Sequence, residues 1–141
     1  MTGEEARRSD TVRVDGGPPP TAATVSVQEL GADDRGEPPG ALVSFVGEID
    51  LGTAPALGET VLQQTAQTRA VVLDLSAVTF LDSAGVRLLD NLVGAYERRG
   101  SAIRLVAPEH GVARFTLTLC AFRSELVEST VDQALASLTV N

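Results

Sequence analysis

The chain has 141 residues, 43% of them hydrophobic, and a formal charge of -8. That is the size of one ordinary domain, apolar enough to bury a core, and its charge repels a nucleic-acid backbone and an anionic membrane surface alike. All 11 basic residues are Arg, which excludes a phosphate-binding loop of the G-x-x-x-x-G-K type, a Schiff-base lysine and a lysine general base.

Residues 1–22 mix charges with "DGGPPP". Such a segment buries too little apolar surface to offset its ordering entropy, so the sequence predicts a disordered N-terminal tail and a single domain over 23–141. This stretch has no apolar core of the signal-peptide kind and no apolar run approaches ~20 residues, so a cytoplasmic protein is expected. The use of Arg in place of Lys throughout points to a GC-rich bacterial source. With 4% aromatic residues and no Trp, the core must come from Val, Leu, Ile and Ala, which suits a sheet packed against helices.

"ATVSVQEL" alternates with Val25 and Val27 on one face and reads as a strand. "GADDRGEPPG" is a turn-rich loop, and "ALVSFVGEID" a second strand, antiparallel to the first. In "LGTAPALGETVLQQTAQT", Thr53 is a suitable N-cap, Pro55 falls in the first turn, and Leu57, Val61, Leu62 and Thr65 recur at helical spacing. "AVVLDLSAV" is the nearly continuous apolar run of a central parallel strand. "SAGVRLLDNLVGAYERRG" carries Val86, Leu89, Leu92, Val93 and Tyr96 on one stripe and stops at Gly100. "AIRLVAP" is another strand, completing a βαβ unit. The remainder predicts a helix over 109–119, a short extended piece near 125–127, and a last helix capped by Ser129 or Thr130. The expectation is α/β: a single α/β layer structure in which four helices pack on one mixed sheet. Cys120, inside apolar "TLTLCAF", reads as a buried, inert thiol without a disulfide or metal partner.

In open α/β sheets chemistry gathers where parallel strands end and helices begin. Ser83 follows the central strand at such a place. Its hydroxyl can cap the helix by accepting from a free N–H of the first turn, and Asp82 adds negative charge beside the positive end of the helix dipole. Local physics favours that structural role. Asp50 and Glu48 end a neighbouring strand, and Asp50 reads equally as a turn residue before Thr53 or as a contact to a partner. Ser76 and Thr79 read as other hydroxyls in the loop, but both precede the helix end and lack its N–H donors. Gly85 reads as a point of close approach. His110, the only histidine, lies past the next strand with no orienting carboxylate, which argues against a catalytic triad and against a metal site.

The motifs themselves say more. "TFLDSAG", preceded by "VVLDLSAV" and with "VGEIDLGTAPAL" upstream, resembles the STAS domain of bacterial anti-sigma-factor antagonists, whose D-S-x-G serine is a phosphorylation site. The resemblance continues through "IRLVAPEHGVARFTLTL" and "TVDQAL" and spans about residues 24–139. It implies the STAS fold and a regulator, not an enzyme, working by partner switching, as in transcription regulation under stress. On this reading the unmodified protein binds an anti-sigma factor that is also a serine kinase, freeing a sigma factor. Phosphorylation of Ser83 ends binding and a metal-dependent serine phosphatase restores it. The partner surface would comprise Asp50, Asp82, Ser83, Ala84 and Gly85, and the chain itself needs no cofactor or metal. Ala84 stands where the family often has a second Ser, leaving one acceptor. A phosphate adds about -1.5 to -2 charge at an edge already bearing Asp82, Asp50 and Glu48, enough to switch an interface with little rearrangement. The alternative is an accessory subunit of a transport or lipid-trafficking ATPase complex, not phosphorylated. A serine hydrolase is disfavoured, because there is no G-x-S-x-G elbow.

Overall fold

The computed structural model describes residues 7–13, 22–31 and 40–139, with side chains beginning at residue 23. Six strands form one sheet in the order β1-β2-β3-β4-β5-β6: β1 (Arg7–Arg13), β2 (Ala22–Leu30), β3 (Gly40–Ile49), β4 (Ala70–Leu81), β5 (Ala102–Val106) and β6 (Val127–Glu128). The pairs β1/β2 and β2/β3 are antiparallel, and β3/β4, β4/β5 and β5/β6 are parallel. Four helices connect or follow them: α1 (Ala54–Gln64), α2 (Ser83–Arg99), α3 (Val112–Leu119) and α4 (Val131–Thr139). The chain is thus an α/β protein with a mixed sheet, as the residue patterns indicate.

Alternation along the strands sorts the core. Val25 and Val27 of β2, Val43 and Phe45 of β3, Val71 and Leu73 of β4 and Ile103 and Leu105 of β5 face one way. They meet Leu57 and Val61 of α1 and Leu89, Leu92, Val93 and Tyr96 of α2. The opposite face carries a smaller cluster, Val72 and Val106 against Ala134 of α4, with Leu42, Val131, Leu135 and Leu138 around it. Burying an aliphatic side chain of this size contributes about 1.5–3 kcal/mol. The central position of β4, apolar on both faces in its first half, follows from helices lying on both sides.

Caps end the helices where the sequence says they should. Gly100, at φ 81°, closes α2 in the left-handed conformation, and the Ser101 N–H returns to the Tyr96 carbonyl at 2.9 Å. Thr130 caps α4 by accepting from the Gln133 N–H at 3.1 Å, while the Gln133 side chain accepts from the Ser129 N–H at 3.1 Å.

Four expectations change. Residues 7–13, expected within a disordered tail, form β1 and pair with β2 from Arg7↔Gln28 to Arg13↔Ala22; ladder hydrogen bonds stabilise a strand that its own composition does not announce. Ala22 of that tail begins β2, and 1–6, 14–21 and 32–39 lie outside the described residues. α3 starts at Val112 instead of 109, because Pro108 to Gly111 make a turn closed by the Gly111 N–H on the Pro108 carbonyl at 2.9 Å. The extended piece is β6 at Val127–Glu128, preceded by a 3-10 turn at Ser124–Leu126. Cys120 is exposed, not buried. α3 buries only Ala113 and Leu117, and its other apolar side chains, including Phe115 at 67% and Leu119 at 70% exposure, face outward.

Candidate functional site

The site lies at the carboxyl ends of β3 and β4, where the chain turns into α1 and α2. After β3, the Asp50 carboxylate accepts from the N–H groups of Gly52 at 2.9 Å and Thr53 at 3.0 Å. It therefore closes a side-chain turn just ahead of α1, while Thr53, the N-cap residue as expected, makes no side-chain capping bond. The Thr53 side chain is fully buried and does something else: its hydroxyl donates to the Glu48 carbonyl at 2.9 Å and accepts from the Asp50 N–H at 3.0 Å. These bonds fix the loop and present Leu51, 76% exposed, at its tip.

After β4, Asp82 is the N-cap of α2, its carboxylate accepting from the Gly85 N–H at 3.0 Å. Ser83 is one position further on, at the first helical residue. The capping role that the sequence allowed Ser83 belongs to its neighbour, because the helical phase begins one residue earlier than a serine cap requires. The Ser83 hydroxyl is exposed and has no hydrogen-bond partner among the described residues. Ala84 is half-buried beside it. Gly85 is buried, and a Cβ there would meet the Ile49 carbonyl oxygen at 2.7 Å, confirming the close approach its identity suggests.

Ser83 stands on a ridge between two grooves. One, of about 570 Å³, runs between the start of α1 and the outer face of α2 and is lined by Leu51, Pro55, Asp82, Arg87, Leu88 and Asn91 besides Ser83 itself. The other, of about 370 Å³, lies between α2 and the turn after α3, with Arg87, Asp90, Cys120, Phe122 and Arg123 among its walls. The structure therefore brings together Asp82, Ser83, Ala84 and the loop held by Asp50. Leu51, Arg87 and Asn91 were not singled out from sequence. For Leu51 a signal existed, a large apolar residue inside a D-x-G turn; Arg87 and Asn91 look like ordinary solvated positions of an amphipathic helix.

Other hydroxyls and the histidine lie elsewhere. Ser76 and Thr79 are on β4, not in the loop after it, and the Ser76 hydroxyl donates to the Asp74 carboxylate. His110 is exposed in the turn before α3 and lines neither groove. Among the described residues no group of His, Cys, Asp or Glu is arranged to hold a metal, and no helix is long and apolar enough to cross a membrane.

Comparison with known proteins places this geometry. Residues 34–134 match the STAS domain model. Over 71 residues the chain is 45% identical to the anti-sigma-F factor antagonist RsfB of Mycobacterium tuberculosis, a match covering 50% of this chain and 52% of the relative, about half the length of each. The crystal structure of an anti-sigma factor antagonist from Mycobacterium paratuberculosis superposes with a TM-score of 0.64 at 29% identity, covering 82% of this chain and 95% of that one. The unphosphorylated form of the anti-sigma factor antagonist SpoIIAA superposes with a TM-score of 0.59 over 72% of this chain and 91% of its own, and at 17% identity it speaks for the fold alone.

Proposed function

The chain belongs to the STAS domain family, and on that premise we propose that it is an anti-sigma-factor antagonist whose hold on its partner is switched by phosphorylation of Ser83. The partner is an anti-sigma factor with serine kinase activity, and a serine phosphatase reverses the mark. This chain contributes a substrate hydroxyl and a docking edge, while the ATP, the metal ion and the groups that move the phosphoryl belong to the kinase.

One observation carries the reading: Ser83 is exposed and unbonded while Asp82 does the capping. A serine required for the helix would spend its hydroxyl on a backbone N–H, whereas this one is free to be presented to another active site. Its surroundings suit a switch. The neighbouring groove offers apolar contact through Leu51, Leu88 and Pro55, and half-buried Asp82 lies beside Ser83 in its wall, while Asp50 holds the loop that carries Leu51. A phosphate there adds about -1.5 to -2 charge, which a surface fitted to a neutral hydroxyl meets as a clash and an uncompensated charge.

Intact-mass spectrometry of the protein expressed in its own host, beside its Ser83→Ala variant, tests the reading. A phosphate-sized increment in the wild type that the variant lacks supports it. An unmodified wild type under every growth condition overturns it and favours an accessory role without phosphorylation. In a binding assay, Ser83→Ala holds the anti-sigma kinase constitutively and Ser83→Glu weakens it.

A further inference from the structure

We propose that phosphorylated Ser83 is captured by Arg87 of the same helix, so that modification both adds a negative group to the docking edge and withdraws from it a basic side chain; this rests on the reading of Ser83 as the phosphate acceptor.

Ser83 and Arg87 are four residues apart on α2, so their Cβ atoms lie on one face about 5–6 Å from each other. Both are exposed, and both line both grooves that flank the ridge. Among the described residues Arg87 is the one basic residue lining the larger groove. In the smaller groove the other cation, Arg123, is already committed, with its guanidinium 2.6 Å from Glu97 and 3.3 Å from Glu125. Arg87 by contrast has no hydrogen bond or ion pair among the described residues.

A dianionic phosphate on Ser83 therefore meets an uncommitted guanidinium within one helical turn, and the planar N–H fork of Arg matches two phosphate oxygens at once. The acidic neighbours do not compete on equal terms. Asp82 spends one carboxylate oxygen on the Gly85 N–H, and Asp90, exposed three residues beyond Arg87, carries half the charge of the phosphate or a little more. In the unmodified protein the guanidinium is left to meet an acidic group on the partner. After modification it is folded back over its own helix, and the partner loses that contact.

The test uses phosphoserine installed at position 83 of the full chain by genetic-code expansion, which needs no kinase. The second ionisation of the phosphate is then followed by phosphorus NMR in wild type, Arg87→Gln and Arg98→Gln, the last removing the same charge at the far end of α2. The expected result is a phosphate that ionises about half a pH unit lower in wild type than in R87Q, with R98Q like wild type. Most of that difference should vanish near ~1 M salt, because the pair is exposed. Equal ionisation in wild type and R87Q, or an equal rise in R98Q, overturns the capture. A kinase that never modifies Ser83 would instead overturn the proposed switch, a separate outcome that leaves the titration unaffected.

Discussion

A Cβ added to Gly85 would lie 2.7 Å from the carbonyl oxygen of Ile49 and 2.5 Å from the Leu81 side chain, so the first turn of α2 and the last residue of β3 meet backbone to backbone. Leu81 could shift, but the Ile49 carbonyl belongs to the strand and cannot move without disturbing the ladder it forms with β4. Gly85→Ala is therefore expected to lower stability by about 1–3 kcal/mol, the usual cost of overpacking. Urea unfolding measures it; an unchanged midpoint would mean that the helix start is not pinned against β3.

The division of labour between Asp82 and Ser83 gives an opposed pair of expectations. Removing the cap with Asp82→Ala should cost about 1 kcal/mol. Ser83→Ala should change stability by less than about 0.5 kcal/mol, as exposed substitutions away from special features do. If the serine variant proves the less stable of the two, the hydroxyl is structural and the free-acceptor reading fails.

Much of this architecture is legible in the residues, and the exceptions have a common cause. The stripe of α2 and its stop at Gly100 are local matters, settled by periodicity and by one left-handed glycine. β1 is not legible, because "RRSDTVR" lacks the alternation of a half-buried strand and depends on pairing with the next strand, from Arg13↔Ala22 out to Arg7↔Gln28. Cys120 misleads because an apolar run says nothing about which side of its helix finds a neighbour. At the site the serine and the aspartate are both good caps, and the choice between them is made by where β4 ends. Arg87 carries no sequence signal at all; its interest comes from being exposed, unpaired and one turn from Ser83.

Tyr96 supplies an alkaline test. Its ring is buried, its hydroxyl lies 2.7 Å from that of Thr65, and burial pushes its ionisation above the ordinary 10.0 despite the opposing influence of Thr65 and Arg99. The Thr65 hydroxyl donates to the Val61 carbonyl at 2.7 Å, which leaves Tyr96 as the donor between the two hydroxyls. With the folded value raised, stability is fully present below the unfolded pKa and declines as pH climbs from there through the folded one. Tyr96 is the only tyrosine and there is no Trp, so phenolate absorbance reports this single group. Its rise should lag behind that of a free tyrosine and steepen as the protein unfolds. Tyr96→Phe should cost about 1 kcal/mol at neutral pH and remove that part of the alkaline decline.

Ala121 follows α3 with φ at 56°, the single non-glycine residue described with positive φ. Its backbone belongs to the helix closure, in which the Phe122 N–H returns to the Leu117 carbonyl at 3.0 Å. A side chain in this conformation costs roughly 1–2 kcal/mol, part of which glycine returns as greater freedom in the unfolded chain. Ala121→Gly should accordingly raise stability by about 0.5–1 kcal/mol, seen as a higher thermal midpoint; a lower midpoint would show that the methyl group packs favourably enough to outweigh the strain.

The helices that wall the larger groove are tied together along their length. Thr65 at the end of α1 is bonded to Tyr96 near the end of α2, the Arg99 guanidinium reaches the Thr65 carbonyl at 2.8 Å, and Gly58 lies close against the Leu88 side chain, whose tip a Cβ there would meet at 2.8 Å. Held this way, the two helices keep their spacing, and what a mark at Ser83 would alter is the charge and the side chains along the groove rather than the frame that carries them. A mark on such a frame is read through charge, and charge is read through the ions of the medium. If Ser83 carries the phosphate proposed for it, the effect is largest in dilute surroundings and fades as salt accumulates, so the osmotic condition of the cell would act on the proposed switch with no residue set aside to sense it.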